Sequence, residues 1–397
     1  MKRCLMTVTG VGAALCGQLA VAGLVDGNNE FAVKMYRELG AAEGNLFFSP
    51  FGISAALGMT YAGARGETAT EMEAALCFPC GPKELGQAFG KLQAGLDEIQ
   101  KRGDVSLSIA NGIWAEQTYG FLPDFMKGIE ADYKARIALA DFVNNAAGES
   151  QRINAWVEEK THEKIKTLVP EGVLDALTRM VLVNAIYFKG DWASQFKEKA
   201  TRERDFHVGS GKTVKVQMMQ QSGGFRLTQD ADTEALELPY KGNQLSMLVL
   251  LPKAKDGIAA LEGKLSVAKI DALVGTLRKT EVDVALPKFR LETSYGLVSP
   301  FQALGMKTAF GNNADFSGMD GSRELYISAI LHKAFVDVDE KGTEAAAATA
   351  VVMRTESVVL KQQFIADHPF IFLIRDNATG SILFMGRVAD PRSARTK

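Results

Sequence analysis

Glu340 to Phe364 reads EKGTEAAAATAVVMRTESVVLKQQF, and it does not read as ordinary structure. Eight consecutive residues, Ala345 to Val352, are Ala, Thr or Val, with neither a charge nor a proline. An Ala-rich surface helix, which intrinsic propensity favours, is one reading, and a flexible linker is another. A strand is the third. It would place Thr343, Ala345, Ala347, Thr349, Val351 and Met353 on one face, and Glu344, Ala346, Ala348, Ala350, Val352 and Arg354 on the other. The first face is small to apolar throughout and suits a sheet interior. The second carries charge only at its two ends. The segment is thus small enough to be exposed, yet patterned to become a buried strand.

Its surroundings are rich in strands. Ala334–Asp339 reads as a strand just before it, and Phe370–Ile374 with Ile382–Val388 flank Asp376-Asn377-Ala378-Thr379-Gly380 as an antiparallel hairpin after it. Met180–Phe188 and Leu245–Leu251 are apolar runs suited to strands covered on both faces. Val105, Leu107 and Ile109 alternate with polar residues, as one strand of a half-buried sheet does. Leu85, Phe89, Leu92, Leu96 and Ile99 repeat at helical spacing, and Thr68-Ala69-Thr70-Glu71 reads as a capping box opening a helix through Leu76. Helices crowd the first half and strands the second, with no βαβ period and no internal repeat. The fold class is therefore α+β, with antiparallel or mixed sheets.

Composition bounds the function. The chain has 397 residues, 47 % apolar and 23 % charged, with 45 Lys+Arg against 47 Asp+Glu. A formal charge of −2 offers no electrostatic footprint for nucleic acid. Only 11 residues are proline and no Pro/Gly/Ser-rich linker breaks the chain, which argues for one large domain or two closely packed sheets.

The amino end reads differently. Lys2-Arg3 precedes an uncharged stretch, Cys4–Ala22, that closes in Leu19-Ala20-Val21-Ala22-Gly23. A secretory signal over residues 1–22 is the economical reading, with a membrane span and a buried first helix as rivals. Cleavage there leaves residues 23–397, removes Lys2 and Arg3, and places the protein in a secreted or extracytoplasmic setting. Cys4 and Cys16 would leave with the signal, so the mature chain would keep only Cys77 and Cys80 in a C-x-x-C. That pair is open to a redox role, a local disulfide or two free thiols. A zinc site lacks further ligands, because the only histidines are His162, His207, His332 and His368.

Enzyme motifs fail. Gly209-Ser210-Gly211-Lys212-Thr213 ends like a phosphate loop, but Phe206 stands where the first glycine belongs. Asp337, Asp339 and Gly342 open like an EF-hand, but Ala348 occupies the position of the bidentate glutamate. Neither G-x-S-x-G nor H-E-x-x-H occurs. No enzyme activity and no cofactor is expected.

Several stretches carry a family resemblance in a fixed order. They are Asn45-Leu46-Phe47-Phe48-Ser49-Pro50, Leu182-Val183-Asn184-Ala185-Ile186-Tyr187-Phe188-Lys189-Gly190-Asp191-Trp192, Leu286-Pro287-Lys288-Phe289 and Asp315-Phe316-Ser317-Gly318-Met319. The most specific are His332-Lys333-Ala334, Asp339-Glu340-Lys341-Gly342-Thr343-Glu344-Ala345-Ala346, His368-Pro369-Phe370 and Phe384-Met385-Gly386-Arg387-Val388. From about Asn28 onward the chain resembles a serpin of the inhibitory, secreted, bacterial type. The resemblance implies a large mixed central sheet, smaller antiparallel sheets and an exposed reactive loop at about 340–364. It also implies a metastable suicide inhibitor of serine or cysteine proteases. The target cleaves the bait bond, forms an acyl-enzyme, and is carried off as the freed loop inserts into the central sheet.

The same resemblance assigns the hinge to Glu340, Gly342, Thr343, Glu344, Ala345 and Ala346. Gly342 permits hinge backbone angles, and Thr343 is the first inward side chain, where a charge is costly to bury. Sheet opening falls to Ser49, Asn184, Trp192 and His332, with His332 a hydrogen-bonded structural histidine. Gly52 stands where many members carry serine, with Ser54 nearby. Counting from the hinge glycine puts the bait bond at Glu356–Ser357, about 46 Å of extended chain from Gly342. Counting back from Pro369 puts it near Val358–Val359. Arg354–Thr355 would draw a trypsin-like protease and Met353 a chymotrypsin-like one. The implied partner is a protease in a covalent 1:1 complex with a monomer. No membrane partner is expected, and no Lys/Arg stripe marks Leu85–Ile99 as a glycosaminoglycan site. The alternative is a non-inhibitory carrier, store or chaperone with the same fold.

Overall fold

The apolar runs at Met180–Phe188 and Leu245–Leu251 end up inside two different sheets, and that division organises the molecule. The computed structural model describes residues 10–103, 105–135, 137–209, 211–343 and 361–392, with side chains from residue 19. The chain begins with α1 (Gly10–Gly40), β1 (Leu46–Phe48), α2 (Pro50–Tyr61), α3 (Gly66–Leu76), α4 (Pro82–Lys101), β2 (Val105–Glu116), α5 (Pro123–Tyr133), β3 (Ile137–Ala140), α6 (Phe142–Lys160) and β4 (Met180–Asp191). It continues with β5 (Arg202–Gly209), β6 (Lys212–Gln229), β7 (Thr233–Pro239), β8 (Leu245–Pro252), α7 (Ile258–Lys264), α8 (Val267–Thr276), β9 (Arg278–Pro287) and β10 (Phe289–Gly296). Last come α9 (Val298–Ala303), α10 (Ser317–Asp320), β11 (Ala329–Val338), β12 (Gly342–Thr343), β13 (Gln362–Ile365), β14 (Phe370–Asp376) and β15 (Ile382–Val388).

Among the described residues the strands form two sheets. One has six strands in the order β10-β11-β12-β4-β2-β3, with β11 and β4 also paired directly and in parallel from Ala329↔Val181 to Phe335↔Tyr187. The other follows the path β1-β15-β14-β8-β7-β6-β9-β13, with β5 joined to β6, nine strands in all. The smaller sheets expected from the sequence are continuous here because β6 is 18 residues long and pairs with β5 at one end and β7 at the other.

Pleating divides β4 and β11 between two cores. Leu182, Ile186, Phe188, Ile330, Ala334 and Val336 face the main core beneath α2. Val181, Val183, Tyr187, Ala329, Leu331 and Phe335 face a second cluster formed by α6 and the connection after it. Both faces are covered, which is why Met180–Phe188 is apolar without alternation.

Most of the expected elements are present, including the final antiparallel hairpin, β14 with β15. The capping box is not. α3 starts at Gly66 with Arg65 as an N-cap that makes no side-chain bond. Thr68 instead accepts from the Asp315 amide at 2.9 Å, and Glu71 accepts from the Lys307 and Thr308 amides at 2.7 Å each. Residues 1–9 of the expected signal lie outside the described residues. α1 runs unbroken through the Ala22–Gly23 junction, with Leu24 and Val25 buried. No described helix is long and apolar enough to cross a membrane. Cys77 and Cys80 are two free thiols, which leaves the local disulfide unformed.

Candidate functional site: the hinge and the seam it enters

β11 ends at Val338 and the chain reverses at once. Asp339 makes the turn: its Oδ1 accepts the amides of Lys341 at 2.9 Å and Gly342 at 3.2 Å, and its own amide donates to the Gly342 carbonyl at 2.9 Å. The chain re-enters the sheet as β12, wedged between β11 and β4. Thr343 pairs with Val338 on one side and Gly190 on the other, and Gly342 pairs with Asp191. Gly342 is needed here for space rather than for backbone freedom. Its φ is not in the left-handed region, but a Cβ would collide with the Gly190 carbonyl and lie 2.6 Å from the Asp191 Cα.

Thr343 is fully buried, and its hydroxyl shares a 2.9 Å hydrogen bond with the Tyr240 hydroxyl. Tyr240 stacks on Trp192 at 4.7 Å and meets Phe188 edge-on at 4.9 Å. Trp192 in turn holds the hinge turn by two bonds, its amide donating to Lys341 O at 2.9 Å and its indole N–H to Asp339 O at 3.0 Å. Glu340 lies 2.7 Å from Lys288 Nζ and accepts the Thr201 hydroxyl at 2.6 Å. Burial pushes the Glu340 carboxyl up, but hydrogen bonds from Lys288 and Thr201 outweigh it and hold it below the usual carboxylate range.

Lower in the same seam, Ser49, Asn184 and His332 meet as the sequence suggested. The Ser49 amide donates to His332 Nε2 at 3.1 Å, so Nδ1 carries the proton and donates to Asn184 Oδ1 at 2.5 Å. The Asn184 side-chain Nδ2 then donates to Asn111 Oδ1 across to β2. Ser49 also caps α2, accepting the Gly52 amide at 3.0 Å and donating to Leu383 O at 2.7 Å. Ser49, Asn184 and His332 are all buried, and burial pushes the His332 imidazole down to about 3. It is a neutral connector, with no substrate-facing atom.

The structure explains Gly52. A Cβ at this position would sit 2.7 Å from Asn184 Nδ2, 2.9 Å from its Oδ1 and 3.1 Å from Ser49 Oγ. Helix propensity favours alanine over glycine by about 1 kcal/mol, whereas overpacking a tight core costs about 1–3 kcal/mol. Gly52→Ala is therefore expected to lower stability by about 1 kcal/mol, read as a drop in urea midpoint with the slope unchanged; a raised midpoint would contradict this.

The other predicted site residues fall elsewhere. Glu344, Ala345, Ala346, Met353, Arg354, Thr355, Glu356, Ser357, Val358 and Val359 lie outside the described residues. Tyr240 and the Lys288–Thr201 pair around Glu340 were missed. The Tyr240 contact joins residues 103 apart and the Lys288 contact residues 52 apart; a single sequence carries no signal for either. Among the described residues no cluster of His, Cys, Asp and Glu is arranged to hold a metal.

Comparison with known proteins agrees with this arrangement. A pig (Sus scrofa) leukocyte elastase inhibitor is 41 % identical over 375 residues, covering 92 % of this chain and 98 % of that one. Uncleaved ovalbumin superposes with a TM-score of 0.84 at 32 % identity, covering 93 % of this chain and 100 % of that one. Human thyroxine-binding globulin superposes with a TM-score of 0.85 at 32 % identity over 94 % of this chain and 100 % of that one. The family model described as Serpin (serine protease inhibitor) matches residues 26–391. With a hinge strand set between β11 and β4, and a match that runs through nearly the whole chain, this protein belongs to the serpin family.

Proposed function

We propose that the protein is an irreversible protease inhibitor that traps its target by cleavage of the 344–360 segment and insertion of the freed strand between β11 and β4. The observation that carries this is β12: its two residues already occupy that seam and fix a register. Continued downward, that register would set residue 349 opposite both Asn184 and His332, which are themselves paired. Residue 353 would fall opposite Met180, where β4 begins. The seam is thus as long as the face from Thr343 to Met353 that the sequence makes small and apolar. Ala346, Ala348 and Ala350 would fall on the opposite face, toward α6 and the second core.

The bait is read as Glu356–Ser357, with Arg354–Thr355 and Val358–Val359 as rivals. The partner is one protease molecule per inhibitor, and the inhibitor acts as a monomer without cofactor, nucleic acid or membrane. The unbroken family match over 26–391 supports reading 23–397 as one domain. That match begins four residues past Ala22, which is compatible with removal of residues 1–22 and secretion. The carrier reading draws on the likeness to thyroxine-binding globulin.

Incubation with elastase, trypsin, chymotrypsin and a glutamate-specific protease tests the proposal. A covalent band that survives boiling in detergent is expected with at least one of them, and mass spectrometry of the released peptide locates the bond. Clean cleavage by all four without a complex would overturn the inhibitor and leave the carrier.

A further inference from the structure

The C-x-x-C motif takes no part in the hinge or the seam. It lies at the end of α3, and its two thiols have different surroundings. Cys77 is the C-cap of α3 and holds φ 56°, the left-handed conformation in which glycine is usual. Its backbone is pressed against α1, where Gly27 leaves the room: a Cβ there would collide with the Cys77 carbonyl. Lys34, two turns further along α1, places Nζ 3.0 Å from Cys77 Sγ and 3.4 Å from Ala74 O. Lys34 and Cys77 are both half-buried, so solvent reaches the pair.

Cys80 packs against the main core. Burial, followed by the charges of Glu84 and Glu73, holds its thiol above the usual range. The thiolate is the form that attacks a peroxide, so these surroundings protect Cys80. At Cys77 the sulfur instead accepts from an ammonium, at the separation of a hydrogen bond.

We propose that Lys34 and Cys77 form a modification site for peroxides, at which oxidation joins α1 covalently to the end of α3. In the first step the Cys77 thiolate takes one oxygen from hydrogen peroxide: an S–O bond forms, the O–O bond breaks, and hydroxide leaves. That hydroxide removes a proton from the Lys34 ammonium and becomes water. In the second step the Lys34 amine attacks the sulfur of the sulfenic acid. An S–N bond forms, the S–O bond breaks, and the oxygen leaves as a second water. In sum, thiol, amine and peroxide give a sulfenamide and two waters, with sulfur oxidised by two electrons and the peroxide reduced by two. A sulfenic acid condenses with whichever nucleophile is at hand, thiol or nitrogen, and the atom at hand here is Lys34 Nζ. The link joins residues 43 apart in the chain. It does not depend on the inhibitor reading.

Peptide mapping of the full chain after treatment with hydrogen peroxide at neutral pH tests this. Trypsin releases both cysteines in one peptide, 66–83, because Arg65 and Lys83 bound it. Mass spectrometry is expected to find that peptide joined to the one carrying Lys34, with two hydrogens lost and no cut after Lys34. Dithiothreitol should separate the two, and Cys80 should still take up iodoacetamide. Lys34→Arg keeps the positive charge but removes the amine, so the cross-link should vanish and the Cys77 sulfenic acid should become trappable by dimedone. Cys80→Ser should leave the yield of cross-link unchanged. A loss of two hydrogens confined to peptide 66–83 would be a local disulfide and would overturn the proposal. So would oxygen added at Cys77 while trypsin still cuts after Lys34. Both of these outcomes are read on the wild-type protein, so the decision does not wait on the folding of either variant.

Discussion

Thr343→Arg is expected to abolish trapping, so that a protease captured by the wild type instead cleaves the variant and departs active. Thr343 is fully buried against Tyr240, in a niche walled by Trp192 and Phe188. Burying an unpaired guanidinium there costs several kcal/mol, whereas leaving the seam forfeits about 1 kcal/mol for the Thr343–Tyr240 bond and about as much again for each backbone bond of a two-residue strand. Expulsion of the hinge is the cheaper outcome, and a hinge that cannot enter cannot lead the rest of the loop in. The measurement is the covalent band together with the moles of inhibitor consumed per mole of protease; that ratio should rise by at least about tenfold. Thr343→Val is the control, because it keeps the shape and loses only the hydroxyl, so most inhibition should persist. Undiminished trapping by the arginine variant would show that the face beginning at Thr343 does not line the seam.

The second large effect is on pH dependence and runs through His332. Burial lowers its folded-state pKa from 6.5 to about 3, so between these values the unfolded chain binds a proton that the folded protein refuses. Stability is therefore undiminished above pH 6.5 and falls as the solution is acidified toward pH 3, by about 1.4 kcal/mol per pH unit from this group alone. Protonation would also force Nε2 to give up the Ser49 amide, breaking the link between α2 and the seam. His332→Asn cannot titrate in this range. It is expected to lose about 1–3 kcal/mol at pH 7 from the unsatisfied Ser49 amide and to flatten the dependence between pH 6.5 and 3. Denaturant melts of both proteins at half-unit pH steps decide the matter. Parallel curves would mean that the acid sensitivity arises elsewhere.

How much of this was legible differs from residue to residue. The strand cores at Met180–Phe188 and Leu245–Leu251 were readable because a strand covered on both faces has no choice but to be apolar. The polar chain of Ser49, Asn184 and His332 was found through a family resemblance, since nothing in residues 49, 184 and 332 alone says that they touch. Thr68 and Glu71 misled for a physical reason. Their spacing satisfies a local cap, but the amides that Glu71 serves belong to Lys307 and Thr308, more than two hundred residues away. The Lys34–Cys77 pair carried no sequence signal, because the two residues lie 43 positions apart.

The sequence by itself determined that residues 343–353 have one small, apolar face, since strand alternation depends only on neighbours along the chain. Tertiary structure alone decided where its first residue, Thr343, sits. The wedge of β12 between β11 and β4, and its register against Val338 and Gly190, are set by pairing between distant segments. Such pairing is fixed by the packing of whole sheets against two cores, and no local pattern encodes it.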